Sequence, residues 1–345
     1  MTALGPERVV VSGSAGFIGG YVVGELLSRG YLVTGIDNLS KYGDVTRSYD
    51  DHPKFRFVRG DVRDVELMVE LLLDADHFIA GAALIGGISY FHEYPYDLLA
   101  ANERITAASF DAAIEAQRAS RLRKITCISS SMVFESTDTW PSAEGDERRI
   151  PPPRSSYGFQ KLAVEYFTRA AYDQYGLPYT IVRPFNCVGV GEARAAGDAE
   201  VLSGNIRLAM SHVVPDLVQK VAKGQDPLHI LGSGDQIRHY TYGADLAVGI
   251  VTAMEHPDAH NEDFNLSTPN STTVLELAGM IWAKMRPGVR FRYVSDHPYE
   301  HDVQKRIPSV EKAKRVLGFE ATTGLNEMLD VVIPWVQRAI DEGRI

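Results

Sequence analysis

The run Arg8-Val9-Val10-Val11-Ser12-Gly13-Ser14-Ala15-Gly16-Phe17-Ile18-Gly19 decides the fold. A β-branched apolar strand passes into a turn carrying three glycines, and the turn opens a helix. One glycine permits the tight turn, the next lets a phosphate approach the backbone, and the third lets helix and strand pack closely. The helix N-terminus then presents its unpaired N–H groups to that phosphate. Further strand-like runs follow at Leu32–Ile36, Phe55–Arg59, His77–Ala80, Lys124–Ser129 and Tyr179–Arg183. Helical spacing of apolar residues separates them, over Ile18–Arg29, Val65–Leu73, Tyr96–Gln117 and Ser155–Tyr175. This alternation predicts an α/β fold with a doubly wound parallel sheet.

After Asn186 the pattern breaks into glycine-rich and polar segments, with helices expected around Val213–Lys223, Ala244–Met254, Thr273–Met285, Ser309–Leu317 and Gly324–Ile340. Residues 1–188 are therefore expected to form a Rossmann-type dinucleotide domain, and residues 189–345 a smaller C-terminal α/β lobe for substrate. The boundary is expected to be discontinuous, because a strand and helix over Tyr240–Met254, within 239–256, could return to the main sheet.

With 345 residues, 45% hydrophobic, the chain can bury a sizeable core. It holds no apolar run near the ~20 residues needed to span a bilayer. The N-terminus passes straight into a strand without signal-peptide features, so a cytoplasmic location is expected. A net charge of −10 argues against a general nucleic-acid or membrane-surface role, which needs clustered Lys and Arg. Cys127 and Cys187 can build neither a disulfide framework nor a four-ligand zinc site alone. His92, His212 and His239 share no metal-ligand spacing, so core or surface roles are expected and no metal.

About twenty residues beyond the glycine turn, Ile36-Asp37-Asn38 offers a carboxylate to the adenosine ribose hydroxyls. Asp37 would repel a 2′-phosphate and so favours NAD over NADP, while Lys41 and Arg63 nearby weigh the other way. Asp61, in Gly60-Asp61-Val62, could meet the adenine amino group or be a turn aspartate. Tyr157 and Lys161 stand four apart at the start of a helix capped by Ser155 or Ser156, so they share a face. An ammonium beside a phenol can make it a usable base, although such a pair is commonly structural. Ser129-Ser130-Ser131 closes the preceding strand, where a hydroxyl can reach a ligand oxygen.

These motifs, with Arg183-Pro184-Phe185-Asn186, resemble the extended short-chain dehydrogenase/reductase family over nearly the whole length, within its NAD-dependent nucleotide-sugar epimerase/dehydratase group. The resemblance implies tightly held NAD contacted by Gly13, Gly16, Phe17, Ile18, Gly19, Asp37, Asn38, Asp61, Val62, Ala82, Ala83, Asn102 and Pro184. It implies Tyr157 as base and acid, Lys161 on the nicotinamide ribose and lowering the tyrosine pKa, and Ser130 polarising the sugar oxygen. It also implies a homodimer through helices near Asn102–Gln117 and Ser155–Tyr175. Asn186, Arg238 and Arg306 resemble groups that bind the substrate diphosphate, while Arg194 lies near the arginine that reads a sugar carboxylate in uronate-handling relatives.

The reaction expected from this pattern is 4-epimerisation. Relatives that remove water across carbons 5 and 6 carry Asp and Glu where this chain has Ser131 and Met132, and a thioether cannot shuttle a proton. Relatives that decarboxylate carry Glu at the Met132 position, and 3,5-epimerases carry Cys there. What remains is oxidation at carbon 4, rotation of the 4-keto sugar and return of the hydride. The substrate is expected to be either UDP-glucuronate or a neutral UDP-hexose, with equal weight on each. The rivals are a dehydratase or decarboxylase, a dehydrogenase releasing NADH, and a non-enzymatic NAD sensor.

Overall fold

The computed structural model of the chain describes residues 6–85, 93–119, 121–192, 200–204, 206–209, 212–298 and 302–344. Its centre is a sheet of seven parallel strands: β1 (Arg8–Ser12), β2 (Leu32–Asp37), β3 (Phe55–Arg59), β4 (His77–Ala80), β5 (Lys124–Ile128), β6 (Tyr179–Pro184) and an edge strand, Glu262–Leu266. In space the order is edge strand, β6, β5, β4, β1, β2, β3. Val10 of β1 pairs with Thr34 on one side and Phe78 on the other. The chain therefore builds outward from β1 to β3 and then restarts at β4 on the opposite side. That reversal opens a crevice at the carboxyl ends of β1 and β4, which is where this Rossmann-type fold binds ligands.

Helices cover both faces. On one, α1 (Phe17–Ser28) and α6 (Gly243–Glu255) bury Val22, Val23 and Leu26 with Ile250 and Val251. On the other, α2 (Val65–Leu72), α3 (Pro95–Ala119) and α4 (Ser156–Tyr175) bury Met68, Leu72, Phe110, Ala116 and Ala171. A second core joins α5 (Val213–Ala222), α7 (Val274–Met285) and α8 (Leu325–Asp341) through Val218, Leu277, Trp282, Leu329 and Val332. The cap of α4 is Ser155, whose hydroxyl accepts from the Gly158 N–H at 3.0 Å. Gly176, at φ 71°, ends that helix in the left-handed conformation.

One expectation needs correction: Thr241–Tyr242 pairs with Cys187–Val188 outside the main sheet, although α6 packs against that sheet, and the strand that completes it is Glu262–Leu266. The helix expected over Ser309–Leu317 spans residues 311–317, with Ala313–Leu317 in π conformation, closed by Gly318 at φ 64°. Among the described residues no helix is long and apolar enough to cross a membrane.

Candidate active site

A cavity of about 810 Å³ follows the crevice and continues between the sheet and the second core. Its cofactor end is built by the glycine turn. Gly13 has φ 74°, and a Cβ there would lie 2.9 Å from the Ala82 backbone; one at Gly19 would run into the Gly13 carbonyl oxygen. Gly16, Phe17, Ile18, Val62, Ala82, Ala83 and Pro184 all line the cavity. Asp37 accepts from the Ala15 N–H at 3.0 Å and the Leu39 N–H at 2.8 Å, which fixes its carboxylate at the cavity wall. Asn38 and Asp61 line the same end, and the Asn38 amide donates to Asp61 at 3.4 Å. Arg63 grips Asp61 through Nη2 at 2.6 Å and Nε at 3.0 Å, a hydrogen-bonded pairing that pulls the carboxyl down to about 2. Arg63 is thus committed to Asp61. Asn102 acts one layer back: almost fully buried, it accepts from the Leu84 N–H at 2.7 Å and donates to the Leu84 carbonyl at 2.9 Å. It shapes the wall through Leu84, which lines the cavity.

At the middle of the cavity β5 ends and α4 begins. Ser130 caps the short turn Ser131–Phe134, its hydroxyl accepting from the Met132 N–H at 3.2 Å. Ser130, Ser131, Met132, Tyr157 and Lys161 all line the cavity. Burial pushes the Tyr157 phenol up, while its hydrogen bond with Ser130 and the charge of Arg306 pull it down. Lys161 donates to the Ile128 carbonyl at 3.0 Å, and burial pushes its ammonium down to about 8. Tyr157 and Lys161 line the same wall, and the charge of Arg306 also acts on the phenol.

Arg306 ties this centre to the next stretch of cavity. Its Nη1 donates to the Asn186 side-chain oxygen at 3.5 Å, and Asn186 adopts φ 37°, a left-handed conformation rare for residues with a side chain. Arg238 donates to the Ile237 carbonyl at 2.9 Å and pairs with Asp302 at 3.5 Å. Burial, then the nearby charge of Arg238, pushes Arg306 down to about 10. Its Nε is buried without a protein partner, so the two arginines form a cationic stretch suited to an anion. Arg194, and residues 86–92 of the loop after β4, lie outside the described residues.

Several lining residues escaped the sequence reading. Glu135 accepts from both the N–H and the hydroxyl of Ser155, at 3.0 and 2.9 Å, and so holds the cap of α4, which carries Tyr157 and Lys161. Its place three residues after Met132 was a signal, but its partner is twenty residues away. His212, expected to be core or surface, lines the cavity in a pair with Glu192. His239 is a core residue bonded to the Thr268 carbonyl at 2.9 Å.

A family model described as "NAD dependent epimerase/dehydratase family" matches residues 9–267, three quarters of the chain. The chain belongs to that family. It is 27% identical to UDP-glucuronic acid decarboxylase 4 of Arabidopsis thaliana over 94% of this chain and 68% of that one. A UDP-glucose 4-epimerase from Thermotoga maritima, solved with UDP-glucose, superposes with TM-score 0.78 at 26% identity, covering 96% of this chain and 99% of the other. MoeE5, solved with UDP-glucuronic acid and NAD, superposes with TM-score 0.77 at 27% identity over 96% and 99%. This epimerase/dehydratase is thus an NAD-dependent enzyme. The glycine turn fits that cofactor, because Gly13, Gly16 and Gly19 line the cavity with bare backbone at the N-terminus of α1, where N–H groups can meet a diphosphate.

Proposed function

We propose that the enzyme is a nucleotide-sugar 4-epimerase acting on a UDP-hexose or UDP-hexuronate, the glucose/galactose and glucuronate/galacturonate pairs. The observation that carries this reading is the set of groups around Tyr157: a Ser130 hydroxyl bonded to it, Arg306 acting on it, and Ser131 and Met132 rather than an acid–base pair on the same wall. Bound NAD supplies a hydride acceptor that can give the hydride back. Tyr157 takes the proton of the sugar 4-hydroxyl and returns it after the keto sugar has turned over. Ser130 donates to the same oxygen, Lys161 holds the nicotinamide ribose, and Arg238, Arg306 and Asn186 hold the diphosphate.

Glu135 favours a second reading. A carboxylate on the cavity wall could supply the proton transfers that Met132 cannot, which would allow dehydration or decarboxylation. Its engagement by both donors of Ser155 supports a structural role instead. Incubating the protein with UDP-glucose, UDP-galactose, UDP-glucuronate and UDP-galacturonate and reading the products by NMR separates the two. The 4-epimer of equal mass is expected, and loss of water or carbon dioxide overturns the reading.

The proposed assembly is a homodimer through α3 and α4. Phe159, Tyr166, Phe167, Tyr172 and Tyr175 are exposed along α4, an aromatic density unusual on a solvated helix.

A further inference from the structure

Beyond the arginines the cavity ends in a charged pair that sugar chemistry does not use. Asp216 and Lys220 stand one turn apart on α5, with Nζ 3.2 Å from the carboxylate and donating also to the His229 carbonyl at 3.1 Å. Both line the cavity, although the Lys220 side chain is only 5% exposed. Val213, Val214, Leu217 and Ile230 line it beside them, and burial raises the Asp216 carboxyl. An ion pair in such apolar company contributes little to stability, because desolvation offsets the Coulomb gain. On the same wall, nearly fully buried Gln236 and Tyr240 leave a side-chain carbonyl oxygen and a hydroxyl without protein partners. Those atoms call for a polar ligand.

Contacts fix where that ligand part lies. From Tyr157 the wall passes to Arg306, then to Arg238 and Asp302, then to Gln236, which donates to Asp302 at 3.0 Å and to the Leu231 carbonyl at 3.1 Å. From there it reaches Lys220 and Asp216 through the His229 carbonyl. With the sugar at Tyr157 and the diphosphate on the arginines, as in the nucleotide-sugar reading on which this step rests, the base falls at the far end. We propose that Asp216 and Lys220 read the imide edge of the base, Asp216 accepting from its ring N–H and Lys220 donating to the adjacent carbonyl oxygen. Uracil offers that edge through N3–H and O4. Cytosine and adenine present a bare ring nitrogen and an amino group instead, so acceptor meets acceptor and donor meets donor. Guanine carries an imide edge on a larger ring.

Calorimetric titration of the NAD-loaded protein with UDP, 3-methyl-UDP, CDP, ADP and GDP tests this, in wild type, Lys220→Met and Asp216→Asn. Wild type is expected to bind UDP at least about tenfold tighter than CDP or 3-methyl-UDP, the discrimination a hydrogen-bonding site achieves. Both variants should shrink the UDP-to-CDP ratio by weakening UDP. Equal binding of UDP and 3-methyl-UDP by wild type, or an unchanged UDP-to-CDP ratio in both variants, overturns the proposal without any variant having to explain itself by misfolding. GDP binding tightest, with its advantage over ADP lost in the variants, would uphold the edge reading and overturn uridine. Failure of all the nucleotides to bind would overturn the nucleotide-sugar reading and this one with it.

Discussion

At the scale of single residues, the site depends on how a phenol ionises in a buried place. Burial raises Tyr157, and Ser130 and Arg306 oppose that rise. Tyr157→Phe should keep the fold and the bound NAD while turnover falls by several orders of magnitude, since only the acid–base hydroxyl is lost; a variant turning over near the wild-type rate would remove Tyr157 from the mechanism. Arg306 gives a pH signature. With Tyr157 as the proposed base, kcat should rise with pH through the phenol's pKa, and the positive charge of Arg306 lowers that pKa. Arg306→Gln should therefore move the rising limb to higher pH. Arg306→Lys should leave the limb near its wild-type position. The measurement is kcat against pH at saturating substrate, and identical limbs in wild type and the Gln variant would show that the cation does not act on the phenol. Lys161→Met should lower NAD occupancy and turnover together, because the proposed ribose contact and the orientation of the cofactor rest on one ammonium; unchanged occupancy by absorbance and mass spectrometry would refute that.

At the scale of elements, one buried ionic network joins β6 to α4 and to the edge strand. Arg183 on β6, with no exposed surface, donates to Glu165 of α4 through Nε and Nη2, both at 2.7 Å, and to Asp263 of the edge strand at 2.7 Å. Glu165 in turn accepts from the Ser129 hydroxyl at 2.7 Å, next to Ser130. Arg183→Met would leave Glu165, Glu147 and Asp263 short of their cation, and truncating one partner of a buried pair costs about 3–5 kcal/mol. Urea unfolding should show a loss of that size, and a loss under about 1 kcal/mol would mean that Arg169 and Lys312 suffice. The same network explains what the sequence concealed. Strands β1 to β6 and their helices were legible because each carries its own apolar period. Glu262-Asp263-Phe264-Asn265-Leu266 does not: Asp263 and Asn265 are buried by distant partners, Arg183, Lys312, Glu144 and Ser142, so a core strand reads as a polar loop. The glycine turn, Tyr157 and Lys161 announce themselves by local spacing. Glu135, Asp216 and Lys220 read locally as solvated helix or turn charges, and only the fold brings them to the cavity.

At the scale of the whole molecule, one cavity is shared by the sheet and the second core, and Ser130, Tyr157 and Lys161 line it together with the glycine turn and the two arginines. The glycine turn would hold the cofactor, and its backbone leaves no space for a side chain at Gly13 or Gly19. In an epimerase the hydride removed from the sugar is returned to it, so nothing in the cycle requires the cofactor to leave. Protein purified without added NAD should therefore carry it, and turnover should proceed with none supplied. The test is to release the bound nucleotide by acid denaturation, quantify it against protein, and follow absorbance at the reduced-nicotinamide wavelength during conversion of UDP-glucose or UDP-glucuronate. Near-stoichiometric NAD and a flat trace are expected while NMR shows product accumulating. A continuous rise matching product mole for mole, with activity dependent on added NAD, would place the enzyme among dehydrogenases that use the same Tyr157 and Ser130 for one hydride transfer and then exchange the cofactor.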